Sequence, residues 1–307
     1  MSYNVTKVTK RNGQLEEFDV AKITKVINFA ARGLDVSVSQ IELNAKIQLF
    51  NGVSTSDIHD TLIKSAADLI SEENPDYQYM AARLAIYQMR KQAYGDYTPP
   101  HLLDHVKNLV EKKRYTPDLL VQYSEEEYNE LNDYLDHDRD NNIAYAGVKQ
   151  IIGKYAVKDK AKETQWALET PQMIFMLVGM CLFSDYDKKY SKAERMKRVK
   201  TFYDLVSTHK IALPTPIIAG VRTLTKQFSS CVKISTGDSL DSINASSNAI
   251  VKYIAQRAGI GLNIGRIRAV GSVIRNGEAT HTGIFPFVKL FESAVGSCNQ
   301  GKQHCPA

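Results

Sequence analysis

The sequence has little of what marks a secreted, membrane-embedded or disulfide-stabilised protein. Its 307 residues include four cysteines, too few and too scattered for a disulfide framework or a zinc site. The longest strongly apolar run, MIFMLVGMCLF at 173–183, is too short to cross a bilayer and predicts a buried helix. The first residues, MSYNVTKVTKRNG, contain no apolar segment of a secretory signal. We therefore expect a cytoplasmic protein that does not enter the membrane.

The sequence also lacks a strong charge of one sign. Its net charge of +5 at pH 7 is a mild excess that suits small anionic ligands. The basic run KKYSKAERMKRVK at 188–200 has few interleaved aromatic side chains, and the acidic run YSEEEYNELNDYLDHDRD at 123–140 balances it. We interpret both runs as solvated helix faces and expect no binding of nucleic acid.

The sequence suggests a calcium loop at one place, but two positions argue against it. DHDRDNN at 136–142 has aspartates at alternate positions, whereas an EF-hand loop also needs a glycine at its sixth position and a glutamate at its twelfth. Asn141 and Gly147 stand there instead. Helix capping and salt bridges are the better interpretation, and we expect no metal in this chain.

The part that does carry clear structural signals begins with a hairpin. Asn12-Gly13 lies between two short β-prone runs in VTKVTKRNGQLEEFDV. Apolar residues at helical spacing follow, separated by capping residues and glycines. Four helices are expected: one from the N-cap Asp19 to Gly33, one over about 38–50, one from Thr55 or Ser56 as N-cap, and one from Pro75 to Gly95.

The remainder changes character near residue 220. Residues 101–220 carry mostly helical periodicity, and LPTP at 213–216 ends that block. FSSCVKI then predicts a strand, SLDSINASSNAIVKYIAQRAG a helix, and GIGLNIGRI a second strand, so the strands are expected to be parallel with a right-handed crossover. FPFVKLFESAV predicts a last helix. Because parallel sheets are normally covered on both faces, two strands indicate an incomplete domain.

Two groups of charged residues could bind anions, although surface lysines near a turn commonly have no role. Around the hairpin the charged residues are Lys10, Arg11, Glu16, Glu17, Lys22 and Lys91. Later in the chain, Gly237-Asp238-Ser239 precedes a long helix whose N-terminus suits an anion. The arginines that follow are Arg266, Arg268 and Arg275. The glycines of GIGLNIG lack the spacing of a dinucleotide fingerprint and indicate close backbone approach.

The role of Cys231 stays open on the residues alone. Periodicity favours a small core side chain, and no histidine base is near in sequence, which argues against an acid–base nucleophile. A redox role needs a second cysteine, and the sequence offers no obvious candidate. Cys181, among Met and Leu, is expected in the core, and Cys298 and Cys305 are expected to be plain thiols.

The chain resembles the N-terminal part of the large, catalytic (alpha) subunit of class I ribonucleotide reductase, of the bacterial and phage aerobic type. The similarity runs from about Val5 to Gly301. Its most specific stretches are SDIHDTLIKSAADLI, PDYQYMAARLAIY, DHDRD, LPTPI, GVRTLTKQFSSCV, GDSLDSINASSNAIVKY and QRAGIGLNIGRIRAVGS. The resemblance implies an α+β then α/β fold class. It divides the chain into an ATP-cone (1–95), a helical domain (96–220), the incomplete first strands of a ten-stranded α/β barrel (221–301), and a tail outside the family pattern (302–307).

The resemblance also implies an activity, the reduction of ribonucleoside diphosphates to 2′-deoxyribonucleoside diphosphates for DNA synthesis. The overall-activity site for ATP or dATP would use Lys10, Glu16, Glu17, Phe18, Asp19, Val20, Ala21, Lys22, Thr55 and Lys91. The specificity site, for a deoxynucleoside triphosphate or ATP, would use Asp238, Ser239, Leu240, Arg268 and Arg275. The substrate diphosphate would contact Thr215, Ser230 and Gly259.

By the same resemblance, Cys231 is one of two redox cysteines, which thioredoxin or glutaredoxin would restore. A di-iron tyrosyl radical centre is expected in a separate small (beta) subunit, and the large subunit is expected to dimerise. Because the family pattern breaks off after Gly301, we expect a split large subunit that is inactive alone, with the partner of Cys231 on a second chain completing the barrel. Gln88 stands where relatives often have histidine, so inhibition by dATP is not implied.

Two other interpretations stay open. A free-standing sensor of ATP or dATP would bind nucleotide through residues 1–95 and would not need Cys231. An inactive truncation product would expose unpaired strand edges and the apolar face of 284–297, and it would aggregate when expressed alone.

Overall fold

The computed structural model describes residues 6–11, 13–46, 50–159, 166–184, 190–256 and 258–298. The chain divides into two compact units, Met1–Thr225 and Lys226–Ala307. Each unit has a hydrophobic core of its own. The predicted tail, Gly301 and Cys305 lie outside the described residues, as do Val5 and Asn12.

The first unit opens with the expected hairpin. Strand β1 (Lys7–Thr9) pairs antiparallel with β2 (Leu15–Glu17), and Val8 stands opposite Glu16. Gly13 has φ +84°, a conformation that favours glycine, which explains the choice of residue in this turn. The Thr9 N–H donates to the carbonyl oxygen of Val53 at 3.0 Å, which fastens the hairpin to the helices.

Four helices follow the hairpin, as predicted. They are α1 (Val20–Ala30), α2 (Val38–Lys46), α3 (Thr55–Ala67) and α4 (Tyr77–Tyr94). Asp19 caps α1, accepting a hydrogen bond from the Ala21 N–H at 2.9 Å, and Gly95 at φ +75° ends α4. The predicted end of α2 near residue 50 falls on 47–49, outside the described residues.

The predicted N-cap of α3 is wrong by one or two residues. Ser54, not Thr55 or Ser56, has the extended backbone of an N-cap, with φ −73° and ψ 148°. Its Oγ accepts a hydrogen bond from the Asp57 N–H at 3.0 Å. Thr55 is therefore the first helical residue. A hydroxyl cap must reach an N–H two or three positions onward, and Ser54 meets that condition.

The rest of the first unit is helical, as expected. Its helices are α5 (Leu102–Glu111), α6 (Asp118–Gln122), α7 (Glu125–Tyr134), α8 (Tyr145–Gln150), α9 (Pro171–Leu182), α10 (Lys192–Ser207) and α11 (Thr215–Gly220). The apolar run predicted as a buried helix is α9, which is buried from Pro171 to Met180. Among the described residues, no helix is long and apolar enough to span a membrane. Trp166, the only tryptophan in the sequence, lies before α9, and its carbonyl oxygen accepts the Asp159 N–H at 2.9 Å.

The DHDRD segment caps and forms salt bridges, as predicted. It makes a 3₁₀ turn (His137–Asn142), with Asp136 accepting the Asp138 N–H at 3.0 Å. Asp140 is buried and pairs with Arg90 of α4 at 2.8 Å. This ion pair joins α4 to the helical block within the first unit.

The interpretation of the acidic and basic runs as solvated faces is wrong where helices α7 and α10 pack against each other. Glu127 and Arg195 are only 2% and 6% exposed and form an ion pair, with Arg195 also donating to the carbonyl oxygen of Gln122 at 3.1 Å. A second pair joins Lys200 to Glu130 at 2.8 Å. Burying a charge without a partner costs free energy. Where α7 and α10 pack, each buried charge is therefore paired with one of opposite sign.

A fully buried ion pair lies near the end of the first unit. Arg222 Nε donates to Glu169 Oε2 at 2.8 Å, and neither side chain is accessible. The Tyr115 hydroxyl also donates to Glu169, and Arg222 Nη2 donates to the carbonyl oxygen of Tyr155 at 2.9 Å. Glu169 and Arg222 are more than fifty positions apart in the sequence, so the pair connects distant segments of the first unit.

The second unit contains the predicted strand–helix–strand arrangement. Strand β3 (Cys231–Ser235), helix α12 (Leu240–Ala255) and strand β4 (Gly259–Asn263) follow in order, and Cys231 pairs with Gly259 in a parallel register. Both strands are shorter than FSSCVKI and GIGLNIGRI. A short antiparallel pair, β5 (Val273–Ile274) and β6 (Ala279–Thr280), precedes helix α13 (Phe285–Cys298).

The two parallel strands are covered on one face. Ile234, Ile260 and Leu262 are half-buried and pack on a small core formed by Ile243, Ile250, Ile267 and Phe291. The alternate residues, Cys231 and Gly259 among them, are exposed. The fold class is confirmed: a hairpin-and-helix unit, a helical middle and the start of a parallel α/β sheet.

Candidate nucleotide and redox sites

Three charged residues of the predicted overall-activity site meet beside the hairpin. Glu16 of β2 forms an ion pair with Lys10 at 2.9 Å through Oε2 and a second with Lys22 of α1 through Oε1. Hydrogen bonds from Lys22 and Lys10 lower the pKa of Glu16 to about 2, so its carboxylate is ionised at neutral pH. The structure thus brings two phosphate-binding candidates together, around one carboxylate.

The other predicted residues of this site lie on or next to β2, α1, α3 and α4. The bridge between Thr9 and Ser54 places the start of α3, and with it Thr55, beside the end of β1. Lys91 lies in the last turn of α4 and pairs with Asp96 at 3.7 Å. Between Glu16 and Lys22 the residues have local structural roles. Glu17 ends β2, Phe18 packs on the core, Asp19 caps α1, and Val20 and Ala21 form its first turn.

Sequence reasoning missed a polar and aromatic group on α3 and α4. His59 is buried, its Nε2 lies 3.0 Å from the carbonyl oxygen of Leu84, and its ring stacks on Tyr87 with centroids 5.3 Å apart. Burial lowers the pKa of His59 to about 4. Gln88 donates to Asp60 at 2.8 Å. His59 follows Thr55 by one helical turn, and this spacing could have identified it.

Arg11 of the hairpin lies within electrostatic range of that group. Burial lowers the pKa of Arg11, and the charges of Tyr87 and Asp60 act in the opposite direction. The region next to the trio therefore combines a guanidinium, a carboxylate, an amide and stacked rings. Such groups can hydrogen-bond and stack with a planar heterocycle.

The predicted specificity site has a formed ion pair at its centre. Arg268 donates twice to the Asp238 carboxylate, from Nε to Oδ2 at 2.8 Å and from its backbone N–H to Oδ1 at 2.9 Å. The backbone hydrogen bond from Arg268 is the main cause that lowers the pKa of Asp238. These contacts join the start of α12 to the loop after β4.

The N-terminus of α12 is partly satisfied by its own serines. Ser239 accepts the Ser242 N–H at 3.1 Å, and the Ser242 hydroxyl accepts the Gly237 N–H at 2.7 Å. Leu240 is 70% exposed. Arg275 is exposed, and its backbone has φ +51°. No described hydrogen bond joins it to Asp238 or Arg268. Of the five predicted residues, the described hydrogen bonds thus join two directly.

The expectation from periodicity that Cys231 is a core side chain is wrong. Its thiol is exposed at the first position of β3. Gly259 lies beside Cys231 on the neighbouring strand. A Cβ atom added to Gly259 would lie 3.6 Å from Cys231 Sγ, which is van der Waals contact. The Gly259 N–H donates to the carbonyl oxygen of Ser230 at 2.8 Å. Three predicted site residues are therefore neighbours. Thr215, the first residue of α11, belongs to the other unit and is exposed.

The remaining cysteines and acidic groups offer no comparable arrangement in the part of the chain that the structure describes. Cys181 and Cys298 are half-buried cysteines that form no disulfide, and Cys181 packs on the core of the first unit, as expected. Within the same residues, no group of three or more His, Cys, Asp or Glu side chains could hold a metal ion.

Three family models match successive parts of the chain. Residues 6–92 match the family model of the ATP cone domain. Residues 141–225 match the ribonucleotide reductase all-alpha domain, and residues 229–305 match the ribonucleotide reductase barrel domain. The chain belongs to the ribonucleotide reductase family. It corresponds to the N-terminal portion of a class I large subunit, as the resemblance implied.

Curated relatives support the same assignment. The chain is 56% identical over 295 residues to ribonucleoside-diphosphate reductase 1 subunit alpha of Escherichia coli (strain K12). It is 48% identical over 294 residues to the alpha subunit of Enterobacteria phage T4, and 31% identical over 295 residues to that of Helicobacter pylori. The matches cover 96%, 96% and 95% of this reductase chain and 38%, 38% and 36% of the relatives. The chain therefore spans less than two fifths of the curated relatives that it matches.

Proposed function

We propose that this chain provides regulatory nucleotide sites and one redox cysteine of a ribonucleoside-diphosphate reductase. The reaction would convert ribonucleoside diphosphates to 2′-deoxyribonucleoside diphosphates. The observation that carries the proposal is the exposed thiol of Cys231 beside Gly259, in a segment that matches the barrel domain of the family. A buried, inert cysteine would not support it.

The chemistry requires more than one thiol. Loss of the ribose 2′ hydroxyl as water takes two electrons, which two thiols supply as they form a disulfide. Disulfide geometry requires the two Cα atoms to lie within about 7 Å. In our proposal Cys231 supplies one thiol, and a second cysteine comes from large-subunit sequence outside the matched region. Thioredoxin or glutaredoxin would then reduce the disulfide.

The substrate would contact residues near this thiol. Ser230 and Gly259 are neighbours of Cys231 and are proposed to contact the ribonucleoside diphosphate. The hydrogen abstraction that starts the reaction would depend on a radical generated in a separate di-iron small subunit. We further propose that the complete large subunit acts as a dimer.

Two effector sites complete the proposal. The hairpin site would bind ATP or dATP, with the ammonium groups of Lys10, Lys22 and Lys91 for the phosphates. The second would bind a deoxynucleoside triphosphate at the start of α12, with Arg268 and Arg275 as cations. Arginine and lysine are suited to phosphate because their donors match its oxygens.

Replacement of the thiol tests the redox role. The chain would be combined with the remaining large-subunit sequence, the small subunit and a thiol reductant, and deoxynucleotide formation would be measured. We expect Cys231→Ala to abolish turnover while ATP binding persists. Cys298→Ala, a half-buried thiol at the end of α13, is the matched control and should keep activity. Full turnover by the Cys231→Ala protein would refute the redox role.

Co-purification tests the requirement for the remaining barrel sequence. Tagged chain would be expressed together with the remaining barrel sequence, and the complex would be isolated and assayed. We expect a stable complex that is active with the small subunit. Deoxynucleotide formation by this chain, small subunit and reductant alone would contradict the proposal.

A further inference from the structure

The side chain of Glu16 pairs with two cations of the proposed activity site, one in the hairpin and one in α1. Oε2 pairs with Lys10 Nζ at 2.9 Å, and Oε1 pairs with Lys22 Nζ. Each carboxylate oxygen thus has one lysine as its partner. They are two of the three lysines that the proposed activity site assigns to the nucleotide phosphates; the third, Lys91, pairs with Asp96.

The backbone holds the three residues in place independently of their side chains. Lys10 is fixed at the end of the hairpin, where its N–H donates to the Gln14 carbonyl oxygen at 2.8 Å. Glu16 is fixed by the β1–β2 register, opposite Val8. Lys22 lies in the first turn of α1, which Asp19 caps. A competing anion therefore needs to move only side chains.

Solvent reaches all three side chains. The exposed fractions of Lys10, Glu16 and Lys22 are 41%, 38% and 61%. A phosphate group can approach the ammonium groups directly, and the carboxylate can swing away into water. The net charge of these three side chains is +1 with Glu16 ionised and +2 without it, so the carboxylate weakens their attraction for a polyanion.

We propose that the Glu16 carboxylate competes with the nucleotide phosphates for Lys10 and Lys22 and thereby lowers the affinity of the hairpin site. This inference rests on the proposed activity site, and it adds that Glu16 opposes binding of the phosphates instead of contributing to it. Glu16 acts as an internal anion. Binding exchanges one anion for another on the same two cations.

The structure also sets the size of the effect. Ion pairs between exposed side chains are individually weak, since water and salt screen them. Releasing two such pairs predicts an increase in affinity of about three- to tenfold, not of several orders of magnitude. The same screening predicts that the increase shrinks at high salt.

Titration calorimetry of the full chain with ATP provides the test. Glu16→Gln keeps the size of the side chain and removes the negative charge. The control is Glu72→Gln, which removes one charge from an exposed position between α3 and α4. We expect Glu16→Gln to bind ATP about three- to tenfold more tightly than the wild type at about 50 mM salt. The gain should largely vanish at about 0.5 M salt, and Glu72→Gln should match the wild type.

The outcomes separate this inference from the function on which it rests. Unchanged or weaker binding by Glu16→Gln, with clear binding by the wild type, overturns the inference and leaves the activity site standing. An equal gain in Glu72→Gln overturns it as well, because the effect would then be one of net charge. If no variant binds ATP, the activity-site proposal itself fails and the inference fails with it.

Discussion

Several titratable residues of the first unit are buried where their charged form is disfavoured. Burial lowers the pKa of His59, His105 and His137 to about 4 in each case. The ring of His59 meets the carbonyl oxygen of Leu84, and that of His105 meets the Tyr115 hydroxyl at 3.1 Å. These histidines are neutral in the folded protein at pH 7, but an unfolded chain binds their protons near pH 6.5.

Acid should therefore destabilise the first unit. Between about pH 6.5 and pH 4 the unfolded state binds more protons than the folded state, so stability is present above this window and is lost as the pH falls through it. For His59 the loss between pH 7 and pH 5 is up to about 2 kcal/mol. Urea unfolding at both pH values should show a smaller loss for His59→Gln, whose amide can still donate to Leu84.

The control for this experiment is an exposed histidine. His209 is exposed and has φ +60°, so His209→Asn keeps a residue that tolerates that backbone. It should show the same pH dependence as the wild type. If His59→Gln loses as much stability as the wild type on acidification, His59 does not titrate as its burial predicts.

The Glu169–Arg222 pair predicts a large and specific loss on substitution. Arg222→Met would leave the Glu169 carboxylate buried without its cation, at a cost of about 3–5 kcal/mol. Arg198→Met, which breaks an exposed pair with Glu194, should cost no more than about 0.5 kcal/mol. Denaturant unfolding of both variants measures the difference. Equal losses would mean that burial does not decide the strength of these pairs.

Among elements, the helices were more predictable than the strands. Capping residues, glycines and a 3.6-residue period lie close together in sequence, so α1, α3, α4 and α9 could be predicted from local signals. The alternation in β3 is equally visible, yet a period of two does not tell which face is covered. That is why Cys231 was expected in the core and lies on the exposed face.

Long-range pairing explains the other differences. Glu127 and Arg195 lie in α7 and α10, and each run alone has the composition of a solvated surface. Only the packing of the two helices brings the charges together. The same holds for Arg222 and Glu169. By contrast, Lys10, Glu16 and Lys22 lie within thirteen positions of one another, so short-range turns of the chain suffice to bring their side chains together.

The corrected cap of α3 leads to a test at the scale of one helix. Ser54→Ala removes the hydroxyl that accepts the Asp57 N–H and should lower stability by about 1 kcal/mol. Ser56→Ala, inside the first turn, removes a hydroxyl that is not the cap and should have little effect. Thermal unfolding compares the two. A larger loss in Ser56→Ala would restore the original assignment.

At the scale of the whole molecule, the two proposed effector sites lie in different units. Each ligand should therefore stabilise its own unit, by about 2.7 kcal/mol at a ligand concentration of 100 Kd. We expect Arg268→Gln to abolish stabilisation by a deoxynucleoside triphosphate at the second site and to leave stabilisation by ATP at the first. Lys22→Gln should do the reverse. Hydrogen exchange resolved along the chain locates each effect, and loss of both effects in one variant would show a single site.

The lone indole of Trp166 has a practical consequence. Since the first unit contains the only tryptophan of the sequence, emission excited at the red edge of the absorption band reports on Met1–Thr225 alone. Lys226–Ala307 contributes no tryptophan emission to that signal. A mismatch between emission and circular dichroism during melting would thus reveal which part of the polypeptide gives way first.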